Sequence, residues 1–269
     1  MKKITFFYAL LFLFLSHNVW AQTIVHSYAH SHNDYKQNKP LFLALENGFT
    51  SIEADVFVIH NKIVVSHIYP LFKKKKALEE LYLKPLEQIV LSNQGRVYAN
   101  DTHSVILLID IKQNAVETYT QLKPLLEKYK AILTSVENGI VVKRAITVVL
   151  SGNKPIEILK RDSVRFCFID QAFMSIKKDE KNEDVFPLAS CKYNTILSWK
   201  GVGDVSFLEK EQLKQQVKLA HEQGKKVRLW ASPENENVWK LLIECGVDLI
   251  NTNKLNELNL FLTKIKSLQ

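Results

Sequence analysis

Short runs of consecutive Val, Ile and Leu alternate with helical patterns along most of this chain, and that alternation restricts the architectures open to it. Continuous apolar runs are what strands buried on both faces require, and such strands belong to parallel sheets covered by helices. Strand-like runs fall at residues 24–29, 51–58, 63–66, 105–111, 145–150, 165–169, 226–230 and 247–251. Helical patterns separate most of them. Pro40 opens one that Gly48 closes, and a longer one over 114–133 places Leu122, Leu125, Leu126 and Tyr129 on one face. Another over 209–223 turns Leu213, Val217 and Ala220 inward and is capped by Gly224. The last repeats Leu255, Leu258, Phe261, Leu262, Ile265 and Leu268. About eight strand–helix units predict a single (β/α)8 TIM barrel, with a doubly wound open sheet as the alternative. Two places break the rhythm. Residues 63–66 follow 51–58 through the Asn61-Lys62 turn with no helix between, and residues 171–204 read as a long irregular connection, a lid or insertion.

The first 21 residues stand outside this pattern. Lys2 and Lys3 precede an apolar run from Ile4 to Leu15, and Ala21 ends the segment before Gln22. That order predicts a cleaved signal peptide over 1–21, a barrel domain over 22–269, and a secreted or periplasmic location. The chain carries a net charge of +8, which falls to +6 without Lys2 and Lys3. A basic surface favours anionic partners. No aromatic-interleaved basic patch or nucleic-acid-binding motif is present, so nucleic acid is not an expected partner. Cys167, Cys191 and Cys245 make neither a disulfide framework nor a metal-binding spacing, and Cys167 reads as a packed thiol.

Four clusters carry chemistry. His30, His32, Asn33 and Asp34 crowd the end of the first strand, where side chains of a barrel meet its active-site face. Glu53 and Asp55 lie two apart in a strand, on one side of it and roughly 7 Å apart. Buried acids so placed need either a cation or an ion pair with Lys or Arg. His67 ends the next strand. Asp110 and Lys112 follow four apolar residues and share a face, too far apart along the strand to pair simply with each other. Two histidines to exchange protons, three carboxylates to hold one hard cation and a lysine for phosphate together fit phosphodiester cleavage.

The segments AHSHNDY, SIEADV, VVSH and LLIDIK, in that order, resemble the active-site strands of the phospholipase-C-like phosphodiesterase superfamily. That superfamily includes glycerophosphodiester phosphodiesterases, phosphatidylinositol-specific phospholipases C and sphingomyelinase-D-type toxins. LYLKPL, VVLSGNKP, VRLWASPE and GVDLINT are similar to signatures of its "altered inheritance of mitochondria" protein-like branch. The resemblance implies that His30 and His67 are the acid/base pair. It implies that Glu53, Asp55 and Asp110 hold one divalent cation, Mg²⁺ or Ca²⁺, and that His32, Asn33, Lys112 and Trp230 line the substrate site. Ser31-His32 after the first histidine and Ile68 after the second depart from the glycerophosphodiester pattern. The expected substrate is a glycerophosphodiester or a phospholipid headgroup, and the expected state is a monomer. The lysine run at 73–76 reads as solvated surface or as a peripheral contact with anionic membrane. Ser151-Gly152-Asn153 reads as a turn at the barrel mouth or as a substrate contact. A catalytically inactive phosphate- or sugar-binding protein on the same barrel is the alternative.

Overall fold

The computed structural model describes residues 23–71, 75–178, 182 and 184–267. The signal peptide read at 1–21 lies outside the described residues. Eight parallel strands form the centre: β1 (His26–Ser31), β2 (Phe49–Ile59), β3 (Val105–Ile111), β4 (Ile146–Gly152), β5 (Phe168–Ala172), β6 (Leu188–Lys192), β7 (Lys226–Trp230) and β8 (Leu249–Thr252). Each pairs with the next, and β1 pairs with both β2 and β8, so the sheet closes and the open-sheet alternative falls.

Helices α1 (Phe42–Glu46), α2 (Lys84–Ser92), α3 (Ala115–Lys128), α4 (Ile156–Arg161), α5 (Phe207–Glu222), α6 (Glu236–Glu244) and α7 (Leu255–Lys266) cover the outside. Leu122 and Leu126 of α3, Leu213, Val217 and Ala220 of α5, and Leu255, Leu258, Phe261 and Leu262 of α7 are buried against it. The crossover from β5 to β6 has a 3-10 turn, Phe173–Ser175, and no α-helix among the described residues.

The strand count agrees with the sequence reading only because two errors cancel. The 63–66 segment is a strand, Lys62–Val65, but it folds back antiparallel on the end of β2, outside the barrel. The barrel's sixth strand, Leu188–Lys192, lies inside the stretch read as irregular. The fifth begins later than expected: Val164–Arg165 belongs to a small sheet with Ser135–Glu137 and Ile140–Val142, and Phe168–Ala172 enters the barrel. That small sheet sits in the connections leading into β4 and β5. Val136 from it joins Ile106, Leu108, Val149, Phe168, Leu188 and Leu249 in an apolar cluster inside the barrel.

Two residues further along each strand, on the same inward face, the chemistry changes. Leu108 gives way to Asp110, Val149 to Ser151, Phe168 to Asp170, Leu188 to Ser190 and Leu249 to Asn251. The barrel is therefore apolar at its base and polar at the C-terminal ends of its strands. Asp34, counted among the polar cluster after β1, is buried and structural: it accepts hydrogen bonds from the Leu41 N–H (2.6 Å), Ser31 Oγ (2.8 Å) and Tyr82 OH (3.0 Å). The cysteines are unpaired, and Cys167 is buried as expected.

Candidate active site

The register between β2 and β3 sets Asp55 directly opposite Asp110. With Glu53 two residues before Asp55, one oxygen from each of the three carboxylates lies within 4.8 Å of the others. The two oxygens of Asp55 are treated differently. Oδ2 accepts from Tyr35 OH (2.7 Å) and His67 Nδ1 (2.7 Å), with Lys112 Nζ at 3.3 Å. Oδ1 is buried and accepts nothing among the described residues.

Lys112 corrects the expectation that it does not pair with Asp110. Its ammonium lies 2.7 Å from Asp110 Oδ2. The residue sits just past the end of β3, and its four-carbon stem is long enough to turn back over the neighbouring acid. Burial alone would lower the Lys112 pKa, but Asp110 and Asp55 outweigh that and raise it. Burial raises the Asp110 pKa, with Lys112 opposing and the other two carboxylates adding to the rise.

His30 is fully buried at the end of β1, where the β1–β2 register shifts and brings it opposite Ser51. Its Nδ1 lies 2.7 Å from Ser51 Oγ. Its Nε2 lies 2.9 Å from a guanidinium nitrogen of Arg228, which can only donate, and 3.4 Å from Glu53 Oε2, which can only accept; the shorter contact assigns the lone pair to Nε2 and the proton to Nδ1. Burial, then the Arg228 charge, pushes the His30 pKa down to about 4. The same Arg228 nitrogen lies 3.3 Å from Glu53 Oε2 and 3.3 Å from Asn251 Oδ1. Burial would raise the Glu53 pKa, but Arg228 holds it below the usual carboxylate range.

The remaining expected residues divide. His32 is half-buried, 3.8 Å from Glu53 and bonded to Asn253 Oδ1 at 3.1 Å. Asn33 Oδ1 lies 2.6 Å from Tyr35 OH and so competes with Asp55 for its single proton. Trp230 stays at the rim, under the Lys192 ammonium, which lies 5.8 Å from the ring centroid. Ser151 donates to Asp170 Oδ2 (3.3 Å), and Gly152 adopts φ +68°. A Cβ at Gly152 would land on Asp110 Oδ1 and the Ile111 carbonyl oxygen.

Arg228, Tyr35 and Ser51 were not singled out from the sequence, nor were Asn251 and Asp170. Arg228 was findable, because it shares strand parity with Trp230 and breaks an apolar run. Its partners His30 and Glu53, on β1 and β2 beyond β8, were not.

The chain matches the AIM6-like phosphodiesterase domain family over residues 19–170. The chain belongs to that family. Residues 226–256 also match the glycerophosphoryl diester phosphodiesterase family, over the segment that carries Arg228, Trp230 and Asn251. Among relatives of the AIM6-like family, "Altered inheritance of mitochondria protein 6" of Eremothecium gossypii is 27% identical, over 86% of this chain and 68% of that protein. A homolog from Arthroderma benhamiae is 27% identical over 84% of this chain and 81% of that protein. The Saccharomyces cerevisiae protein is 28% identical over 84% and 68%. A glycerophosphodiester phosphodiesterase structure from Parabacteroides distasonis superimposes with a TM-score of 0.52 at 15% identity, covering 91% of this chain and 98% of that one. That likeness extends to the fold.

Two outcomes follow from this geometry. Gly152→Ala should displace the Asp110 carboxylate and weaken Mg²⁺ or Ca²⁺ binding by about tenfold or more, the effect of losing one well-placed oxygen. Calorimetric titration of both proteins checks it, and equal affinities would remove Gly152 from the argument. His30 bears on pH. Its folded pKa of about 4 lies below the ordinary 6.5, so the unfolded chain takes up the proton first. The stability that His30 lends is present above pH 6.5 and is lost as pH falls towards 4, by up to about 3 kcal/mol. In chelator, urea unfolding of wild type should therefore steepen in that window relative to His30→Gln. Parallel curves would contradict the neutral, buried histidine.

Proposed function

We propose that this chain is a metal-dependent phosphoric diester hydrolase that uses His30 and His67 for proton transfer on a glycerophosphodiester or phospholipid headgroup. The observation that carries the reading is the partnerless, buried Oδ1 of Asp55, set among three convergent carboxylates, with His67 on Asp55 (2.7 Å) and His30 3.4 Å from Glu53. Glu53, Asp55 and Asp110 fit a hard cation that takes oxygen ligands, Mg²⁺ or Ca²⁺. Bound there, the ion supplies positive charge to the phosphoryl oxygens as they gain negative charge.

The chain's own groups do the rest. Arg228 offers a permanently charged planar fork suited to a phosphoryl oxygen, and Lys112 a second, point-like cation. When Arg228 turns to phosphate, the His30 Nε2 lone pair is released and takes a proton from the water that attacks phosphorus. Ser51 keeps that ring oriented from Nδ1. His67 is held through Nδ1 by Asp55, which leaves Nε2 on the exposed side of the ring to protonate the departing oxygen. His32, Asn33 and Trp230 line the approach. The leader read in residues 1–21 supports action outside the cytoplasm.

A panel of soluble phosphodiesters, assayed with and without chelator, tests the reading. Chelator should abolish turnover, and Mg²⁺ or Ca²⁺ should restore it. His30→Ala and His67→Ala should each lower turnover roughly 10²–10⁴-fold. A p-nitrophenyl diester needs little protonation on departure, so it should rescue His67→Ala and not His30→Ala. Full turnover in chelator, or near-normal rates in both variants, would refute the mechanism.

A further inference from the structure

Apart from Trp230, the apolar side chains left in solvent at the barrel mouth have no role in the chemistry above. Ile68 (72% exposed) and Leu71 (72%) directly follow His67. Val202 (87%), Phe207 (75%) and Leu208 (78%) lie in the connection from β6 to α5 and its first helical turn. Met174, just after β5, and Trp230, the last residue of β7, are also exposed. Trp230 ends a barrel strand, Met174 and residues 202–208 follow one, and residues 68–71 follow the hairpin strand that folds back to the level of Asp55, so they share the face on which the carboxylates open.

Their distribution narrows the partner. In a closed ring of eight, β2 and β6 stand opposite each other, so the 68–71 and 202–208 segments flank the mouth on opposite sides. A peptide or helix in a groove would meet one side only, whereas a broad flat surface meets both. Lysines accompany the apolar groups at each place. Residues 73–76 are all lysine, and Lys75 and Lys76, four and five positions after Leu71, are exposed. Lys177 and Lys178 follow Met174, Lys200 precedes Val202, and Lys192 covers Trp230. Apolar side chains interleaved with cations are the pattern that enters the headgroup region of an anionic bilayer. No helix among the described residues is long and apolar enough to cross a membrane.

We propose that the barrel mouth docks flat on an anionic lipid surface through this divided apolar rim, so that the diester presented to the site is a phospholipid headgroup. The substrate half of the proposal rests on the diesterase reading, and the docking half does not.

The test is co-sedimentation of the full protein with phosphatidylcholine vesicles, with and without phosphatidylglycerol, at low and high salt. Leu71→Asp, Phe207→Asp and Leu208→Asp are combined in one variant. Ser206 caps α5, so acids at its first two positions suit the positive end of the helix and preserve the fold. Wild type should bind the anionic vesicles and be released by salt. The variant should bind at least about tenfold more weakly, as expected for losing three inserted apolar groups, while soluble-diester turnover is unchanged. Absence of vesicle binding at low salt, or equal binding by the variant, would overturn the dock. So would a wild-type dimer in sedimentation velocity that the variant disperses, which would make the rim a self-association face. Vesicle binding without hydrolysis of any diester would sink the diesterase reading and leave the dock standing.

Discussion

The Asp55 carboxylate takes hydrogen bonds from Tyr35 and His67, with the Lys112 ammonium close by, on one oxygen, and leaves the other buried without a donor. Burying an unpaired anionic oxygen is costly, and two further carboxylates within reach raise that cost. Much of the barrel mouth answers to this arrangement. Lys112 bends back onto Asp110, Arg228 reaches past β8 to Glu53, and His30 is kept neutral between Arg228 and Ser51. These cations lessen the repulsion among the three acids without satisfying Asp55 Oδ1. Asp170 Oδ1 is likewise buried without a donor, and a site that keeps carboxylate oxygens bare at such expense is suited to a ligand that brings charge with it.

The switch from apolar to polar two residues along each strand lets the fold carry this load. The inner cluster around Leu108, Phe168 and Leu249 holds the base of the barrel, and the hairpin that contributes Val136 joins it there. Stability thus comes from the base and from the layer between strands and helices. The upper ends of the strands are free to hold His30, Glu53, Asp110, Asp170 and Arg228. Gly152 shows how close the packing is at the boundary, since β4 ends against the Asp110 carboxylate with no room for a methyl group.

Much of this was legible in the sequence. Strands β3 and β7 carry enough apolar or alternating pattern to be read at their true limits, and the order of His30, Glu53, Asp55, His67 and Asp110 along strand ends marked the site. What stayed hidden depends on neighbours. Leu188–Lys192 has the inward residues Leu188, Ser190 and Lys192, too polar to read as a strand alone, and it becomes one because β5 and β7 pair with it on both sides. No α-helix follows β5 among the described residues, so its rhythm gave no help. The Lys112–Asp110 contact depends on a side chain folding back beyond the strand end, which strand periodicity does not describe. Arg228 meets His30 across almost 200 positions of sequence, and only barrel closure brings them together.

The central claim is that Glu53, Asp55 and Asp110 form a single cation site whose key atom is Asp55 Oδ1. A crystal soaked in Mn²⁺ and measured for anomalous scattering tests it most directly. The account expects one strong peak about 2.0–2.6 Å from an oxygen of each of the three carboxylates, Asp55 Oδ1 among them. A peak elsewhere in the barrel, or an Asp55 Oδ1 left bare in metal-saturated protein, would contradict it.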